Sequence, residues 1–174
     1  MAGFSKFDPE KFPRTLNWHI ARDLDNGVDF RWDFSQGSHG WRENSLTGDG
    51  GGAIWHDPNE GVLAIRGSKH NGWAWPGEGQ VLIITQTGWA YEMRAHIYAT
   101  STSASLGFDH FQHRLVAESH INIANKWHTA SVEKIYRDAF DGAGNHGNIY
   151  PVVRGLAIGI EIKIKWVELW YRAI

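Results

Sequence analysis

Two tryptophans, Trp73 and Trp75, flank a single alanine in the stretch HNGWAWPGEG. On an extended strand their side chains point the same way, because side chains alternate with a period of two. A flat indole packs against the C–H face of a sugar ring or against apolar groups of a protein. The flanking HNG and PGEG segments are typical of exposed loops. The pair is therefore a candidate ligand-binding surface, and packing inside the domain is the alternative.

A second candidate lies in YEMRAHIYA, where polar and apolar residues alternate strictly. Arginine and glutamate side chains hold a polyhydroxylated ligand by paired hydrogen bonds, and tyrosine adds a flat platform. The alternative is an ordinary solvated strand face, which every half-buried strand has. The outward row of this strand consists of Glu92, Arg94, His96 and Tyr98, and the inward row of Tyr91, Met93, Ala95 and Ile97.

Enzyme chemistry has little support in the sequence. The chain has no cysteine nucleophile and no GxSxG motif. Glu92 paired with Glu118 or Asp109 is the candidate carboxylate pair for glycoside hydrolysis. Lyase chemistry would instead use tyrosine, histidine and arginine side chains, for which Tyr91 or Tyr98, His96 and Arg94 are the candidates. We assign no catalytic residue.

Support in the sequence for a metal site is equally weak. Asp109, His110, His113 and His120 are potential ligands, but the spacing of His110 and His113 suits one face of a helix. The segment around them has the pattern of strand and turn, and it matches no HExxH or facial-triad motif. We therefore expect no metal at these residues.

Composition limits the partners and the setting. The chain has 174 residues, a formal net charge of −2 and no cysteine. It has no basic run that would hold phosphates, so we expect no nucleic-acid partner. The first residues lack the apolar core of a signal peptide, which predicts cytoplasmic synthesis. No apolar run approaches the ~18 residues that a membrane-spanning helix needs.

Tryptophan is the clearest outlier, with 10 residues in the chain. Indoles favour positions where one edge remains in water, and one core seldom needs so many. We expect several of the ten at a binding surface or a subunit contact.

The elements that must position these residues are mostly strands. Residues 1–27 form an irregular arm, in which TLNWHIARDL predicts one short helix with Thr15 as its N-cap. The arm either packs on its own domain or contacts a neighbouring subunit. Residues 28–174 contain about ten short strands separated by turn signals, which predicts an all-β sandwich. AIWHD and VLAIRG form a hairpin, and RGLAIGI and IKWVELWYR are the last two strands.

Four segments, in this order, resemble the galactose-binding-like jelly-roll superfamily, the fold of many carbohydrate-binding modules. WDFSQGSHGW resembles its first strand, GVLAIRG an early strand, NKWHTASVEK a mid-domain strand, and RGLAIGIEIKIKWVELWYR the terminal pair. The resemblance covers roughly residues 28–174 and implies a jelly-roll β-sandwich. It implies a scaffold and not a chemistry, because one fold hosts many functions.

The resemblance also bears on calcium. That superfamily often has an aspartate early in the last strand, near a structural calcium ion, and here Lys165 or Trp166 occupies the place. Calcium takes oxygen ligands, so a lysine cannot contribute to the site. Asp29, Asp33 and Glu168 are the weak remaining candidates. We expect no other cofactor.

Together these observations predict a non-enzymatic β-sandwich that binds a glycan or a protein surface through exposed aromatic side chains. The arm and the tryptophan excess also fit a decoration or tail protein of a phage or virus-like particle, with the arm joining copies into a homo-oligomer. The alternative is a small jelly-roll lyase or glycoside hydrolase that acts on polysaccharide.

Overall fold

The computed structural model describes residues 6–44, 53–67, 73–76, 82–84, 86–110, 115–137, 148–155 and 158–174. These residues form fourteen β-strands and one turn of 3-10 helix at Pro9–Lys11. None of them forms a helix of the length and apolarity needed to cross a membrane. The strands are β1 Lys6–Phe7, β2 His19–Ile20, β3 Arg31–Asp33, β4 Arg42–Asn44, β5 Ala53–Asp57, β6 Val62–Arg66, β7 Trp73–Trp75, β8 Leu82–Ile84, β9 Trp89–Ala99, β10 Ser105–His110, β11 Leu115–His120, β12 His128–Tyr136, β13 Asn148–Arg154 and β14 Glu161–Ala173.

The strands form two sheets of seven. Sheet 1 has the order β1-β8-β13-β10-β11, and β7 joins it by pairing with both β13 and β4. Sheet 2 has the order β12-β9-β14-β6-β5, and the short strands β2 and β3 also pair with β14. The β1–β8 pair is parallel, whereas the long central pair β9–β14 is antiparallel. The predicted all-β jelly-roll sandwich is confirmed.

The core lies between the two sheets and follows the strand alternation. Each long strand places alternate side chains inward, which is the arrangement of packed sandwiches. Sheet 2 contributes Tyr91, Met93, Ala95, Ile97, Ile162, Ile164, Val167 and Leu169, and sheet 1 contributes Leu106, Phe108, Ile149 and Val153, all exposed by 1% or less.

The two sheets differ on their outer sides. In β10 of sheet 1, Leu106 and Phe108 face the core, and the alternating residues Ser105 and Asp109 are also fully buried. In β9 of sheet 2, by contrast, the alternating residues are partly exposed. Among the described residues, sheet 2 therefore has the more accessible outer face along its central strands.

The predicted hairpin is confirmed. Strands β5 and β6 are antiparallel, and their register runs from Ala53 opposite Arg66 to Asp57 opposite Val62. Gly61 closes the turn with a φ of +65°, and its N–H donates to the carbonyl oxygen of Asp57 at 2.9 Å.

The predicted helix in the arm is wrong. The segment is extended, because β14 engages its backbone: the N–H of Ala173 donates to Thr15 O, and the N–H of Ala21 donates to Leu169 O at 2.8 Å. Ile20 also pairs with Trp170 across β2 and β14. Backbone groups used in this way cannot form the hydrogen bonds within the segment that a helix requires.

The described part of the arm packs on its own domain. Arg14 Nη2 donates to the carbonyl oxygens of Gly88 at 3.1 Å and Ile174 at 3.4 Å. The Arg14 guanidinium also lies 5.0 Å from the centre of the Trp89 ring. Trp89 Nε1 in turn donates to Glu10 Oε1 at 2.9 Å. Association of several copies through the arm stays a prediction.

Substituting Arg14 tests this anchorage. Arg14→Ala removes two hydrogen bonds and a cation–π contact, so we expect the free energy of unfolding to fall by about 1–2 kcal/mol. Urea denaturation measures the change. Lys11→Ala is the matched control, because Lys11 is also an exposed cation of the arm and exposed positions usually change stability by less than about 0.5 kcal/mol. Equal effects of the two variants would contradict the anchoring role of Arg14.

Candidate functional site

The strand YEMRAHIYA forms most of β9, at the centre of sheet 2, and its alternation is as predicted. Tyr91, Met93, Ala95 and Ile97 face the core. The predicted row of Glu92, Arg94, His96 and Tyr98 therefore lies on the outer face of sheet 2, where each residue is partly exposed.

The neighbouring strand β14 places further aromatic and charged residues beside this row. The register pairs Trp166 with His96, Glu168 with Arg94 and Trp170 with Glu92. Paired residues of an antiparallel sheet project to the same face. The outward side of IKWVELWYR thus continues the predicted row from a second strand.

Three rings form a stack across this face. Trp127, which precedes β12, and His96 have ring centres 5.4 Å apart and planes inclined by 15°. His96 and Trp166 have ring centres 5.9 Å apart and planes inclined by 16°. Tyr98 lies beside the stack, 5.9 Å from Trp127. We refer to Trp127, His96 and Trp166 as the ring stack.

Charged groups hold the rest of the face in place. Arg94 Nε donates to Glu92 Oε1, and the Arg94 guanidinium lies 4.1 Å from the centre of the Trp170 ring. Arg31 of β3 approaches Glu168 at 3.8 Å. Glu92 and the Trp170 ring thus restrict the Arg94 side chain.

A β-bulge places one further cation at the ring stack. Ile164 pairs with Ile97 and Trp166 with His96, so Lys165 has no partner on β9. A bulge leaves its extra residue outside the ladder and re-aims side chains. Lys165 is exposed, and its Nζ lies 4.7 Å from the centre of the Trp127 ring.

The imidazole of His96 favours its neutral form. Partial burial lowers the pKa of His96, and the nearby Lys165 and His128 lower it further. Its Nδ1 lies 3.3 Å from Thr129 Oγ1. A neutral imidazole retains an acceptor nitrogen, so His96 can both stack and hydrogen-bond at pH 7.

The tryptophans with described side chains divide between core and surface. Three of them, Trp32, Trp41 and Trp89, are buried at 6% exposure or less. The other five are partly or fully exposed: Trp18, Trp55, Trp127, Trp166 and Trp170. Several indoles are therefore not core filling, and their place at a binding surface or a subunit contact stays a prediction.

Trp73 and Trp75 form the ends of β7, in sheet 1 and not in sheet 2. Trp73 pairs with Arg154 of β13 and with Asn44 of β4, and Trp75 pairs with Arg42. Between them Ala74 is fully buried in the core. The side chains of the two tryptophans lie outside the described part of the structure, and their role in binding stays a prediction.

The weak calcium candidates do not come together. Each acid contacts a different neighbour: Asp29 lies 3.0 Å from Arg22, Asp33 accepts from the N–H of Ser35 at 3.0 Å, and Glu168 lies 3.8 Å from Arg31. Within the residues that the structure describes, no group of three or more histidine, aspartate or glutamate side chains could hold a metal ion.

The predicted glycosidase carboxylate pair is wrong, because its members lie in different sheets. Glu92 is on the outer face of sheet 2. Glu118 is in β11 and Asp109 in β10 of sheet 1, where their alternation with core residues places them away from the sandwich interior. Packed sheets are about 10 Å apart, so these carboxylates cannot flank one glycosidic bond.

Asp109 is nevertheless an unusual acid. Its side chain is fully buried, and its Oδ1 accepts from Arg154 Nη1 at 3.1 Å. Its Oδ2 has no hydrogen-bond partner among the described residues. Burial raises the pKa of Asp109 to about 6, although the Arg154 charge opposes the increase.

Most of the residues that surround the row were not predicted from the sequence. Trp127, Trp166, Trp170 and Lys165 were not proposed as ligand contacts, and Glu168 was considered only for calcium. A signal was available for three of them, because Trp166, Glu168 and Trp170 alternate with apolar residues as the β9 row does.

No protein-family model and no curated protein matches the chain. Several solved structures do. BiXyn10A CBM1 has 17% identity and a TM-score of 0.54, with 82% of this chain and 96% of that chain covered. A cyclase from Fischerella sp. TAU has 12% identity and a TM-score of 0.55, with coverage of 99% and 94%. The chain spans only 29% of the arabinose-bound MgGH51 α-L-arabinofuranosidase, with 14% identity, 98% of this chain covered and a TM-score of 0.53.

At these identities the likeness concerns the fold alone. The same two-sheet β-sandwich occurs in a carbohydrate-binding module and in a cyclase, so the scaffold does not by itself select a function.

Proposed function

We propose that this protein is a non-catalytic module that binds a glycan on the outer face of sheet 2. The observation that supports this most directly is the ring stack, which places two indoles and an imidazole side by side on that face. Sugar rings have apolar C–H faces and polar edges. A surface that combines aromatic rings with hydrogen-bonding groups matches both features.

The surface position of the rings favours a binding role. Trp127 and Trp166 both remain partly exposed, although indoles gain free energy when they are buried. Grouped apolar side chains on the surface of a soluble protein usually mark an interaction site. The described side chains beside the two indoles are His96, Tyr98 and the cations Arg31 and Lys165.

The polar part of the site is arranged in advance. Glu92 and the Trp170 ring restrict Arg94, and Tyr98 Oη donates to Asn125 Oδ1 at 3.4 Å. Side chains that are already ordered lose less conformational entropy when a ligand binds. Arg94 donates to sugar hydroxyl oxygens in this scheme, and Glu92 accepts from sugar hydroxyl groups.

The comparison with BiXyn10A CBM1 supports the proposal, because its name identifies a carbohydrate-binding module with the same fold. The similarity to a cyclase makes turnover the second quantity to measure. Assembly on a particle surface is a separate prediction, which this site neither requires nor excludes.

Removing the rings of the stack tests the function. We expect Trp166→Ala and Trp127→Ala each to weaken glycan binding roughly 30-fold, because a central aromatic contact is worth about 2 kcal/mol. Trp166→Phe keeps a ring and should retain most of the affinity. Isothermal titration calorimetry against short neutral and acidic oligosaccharides measures the change, and near-ultraviolet circular dichroism verifies the fold of each variant.

Trp18→Ala is the matched control. Trp18 also faces an arginine, with Arg172 lying 5.0 Å from its ring centre. The six residue steps from Trp166 to Arg172 on β14 span about 20 Å, so a short ligand on the ring stack does not reach Trp18. Unchanged binding by both ring-stack variants, or release of new reducing ends from any ligand, would contradict the proposal. Trp73→Ala in the same assay tests the sequence prediction for sheet 1.

A further inference from the structure

We infer that the glycan of this site is acidic, and that Lys165 binds a sugar carboxylate beside the ring stack. The inference rests on the proposed function and specifies its substrate class. It concerns a chain containing uronic acid residues, in which each carboxylate is attached directly to a sugar ring.

The first support is the position of Lys165. The bulge removes this residue from the pairing between β9 and β14, while its carbonyl oxygen still accepts from the N–H of Phe34 at 2.9 Å. The backbone is thus held by the residue that follows β3, and the exposed side chain extends over Trp127. A carboxylate on a sugar that packs against Trp127 therefore meets the ammonium group.

The second support is the ion pairing on this face. Most of its cations already have an acidic partner: Arg94 pairs with Glu92, Arg31 with Glu168, Lys163 with Glu60, Arg66 with Glu161 and Arg172 with Glu133. Lys165 has no acidic partner within the described part of the chain. Its charge remains available to a ligand, and a ligand carboxylate would be its first ion-pair partner.

The third support is the local electrostatic environment. Partial burial lowers the pKa of His96, and the nearby Lys165 charge lowers it further, so Lys165 lies close enough to act on the middle ring of the stack. Asp33 is the acid that β3 places beside Trp166. It accepts from Ser35 and lies near Arg31 and His39, and these groups hold the pKa of Asp33 below its usual value. Asp33 therefore keeps its negative charge at neutral pH on the Trp166 side of the stack, whereas the cation Lys165 lies at Trp127.

The expected size of the effect is moderate. Lys165 is solvent-exposed, and exposed ion pairs are weak and sensitive to salt. We therefore expect an acidic oligosaccharide to bind about five-fold more tightly than its uncharged counterpart at low ionic strength. Most of that preference should disappear in 1 M salt, where the Debye length is about 3 Å.

Methyl esterification supplies the matched ligands. Oligogalacturonate, oligoalginate and oligoglucuronate are each titrated as the free acid and as the methyl ester of equal length, which differ only in carboxylate charge. The protein variants are Lys165→Met, which removes the ammonium, and Lys165→Arg, which keeps a cation. Lys134→Met is the control, because Lys134 Nζ likewise lies over an aromatic ring, 5.1 Å from the centre of Tyr136.

The expected result has three parts. The wild-type protein prefers the acid over its ester, Lys165→Met binds both with the affinity of the ester, and Lys165→Arg and Lys134→Met retain the preference. Equal binding of acid and ester by the wild-type protein would overturn the inference, as would a Lys165→Met variant that weakens both ligands equally.

The two proposals fail in different ways. If esters or neutral glycans bind in a manner that depends on Trp166, and the acids have no advantage, only the acidic ligand is wrong. If no glycan binds at all, the proposed function fails and the inference fails with it.

Discussion

Replacing Gly155 by alanine is expected to lower the free energy of unfolding by about 2–5 kcal/mol, through backbone strain and overpacking together. Gly155 has a φ of +82°, in the left-handed region that side chains disfavour. A Cβ atom there would lie 3.0 Å from Ser103 C and 3.1 Å from Ala104 Cα, and closer still to Ser103 O.

The position of Gly155 explains why the overlap is difficult to relieve. It directly follows β13, and Ser103 and Ala104 directly precede β10. These strands pair from Ser105–Arg154 onward, so neither segment can move without disturbing sheet 1. Because the clash involves main-chain atoms, a change of side-chain rotamer cannot remove it.

Gly159→Ala separates strain from overlap. Gly159 has nearly the same φ, +84°, but a Cβ atom there meets nothing within 4 Å. Its substitution should cost about 1–2 kcal/mol from strain alone. Urea denaturation gives both values, and thermal melting serves if Gly155→Ala folds only at low temperature. Equal costs at the two positions would show that the contact with Ser103 contributes nothing.

The second large effect is a loss of stability as the pH rises from about 4 to about 6, and Asp109 causes it. The ordinary pKa of the aspartate is 3.8 and burial raises it to about 6, so the folded protein keeps this proton to a higher pH than the unfolded chain does. The contribution of the protonated group is complete below the unfolded pKa and disappears as the pH rises through the folded one. Two pKa units correspond to about 3 kcal/mol.

Asp109→Asn isolates this contribution. The amide is neutral at every pH, as the protonated acid is, and its oxygen can still accept from Arg154 Nη1. Arg154 also keeps further interactions. We therefore expect the variant to be more stable than the wild type at pH 7, with a flatter dependence of stability on pH between 4 and 6. Urea titrations across this pH range measure the free energy of unfolding of both proteins. The contributions of the other carboxylates cancel in the difference between the two.

Asp33→Asn is the control with the opposite sign. Hydrogen bonds from Ser35 lower the pKa of Asp33, so its stabilising contribution is present at neutral pH and disappears as the pH falls. A difference between wild type and Asp109→Asn that does not change between pH 4 and 6 would show that Asp109 has an ordinary pKa in the folded state.

The sequence predicted the parts of the site that lie within single strands. In β9, strict alternation identified Glu92, Arg94, His96 and Tyr98 as one row, because the geometry of an extended strand is local. The hairpin β5–β6 was equally predictable, since its turn is contiguous with both strands. The tryptophan count indicated that some indoles lie outside the core.

Local patterns failed where a distant strand decided the outcome. The segment around Thr15 has a weak helical pattern, but hydrogen bonds to β14 make it extended. The sequence predicted a strand over RGLAIGI, which begins at Arg154. The observed strand β13 ends at Arg154 and contains Pro151. A central strand rarely accepts proline. β13 tolerates it because Pro151 lies between the segments that pair with β8 and β7.

By itself the sequence determined an all-β sandwich and the inward or outward direction of side chains on its long strands, because both depend on a period-two pattern within each strand. The tertiary structure alone decided that Trp127, His96 and Trp166 form one stack and that Lys165 stands beside it. These residues belong to three separate segments, and their contacts depend on strand register, which a single bulge in β14 changes. Register depends on pairing between distant parts of the chain and on the packing of the whole sheet.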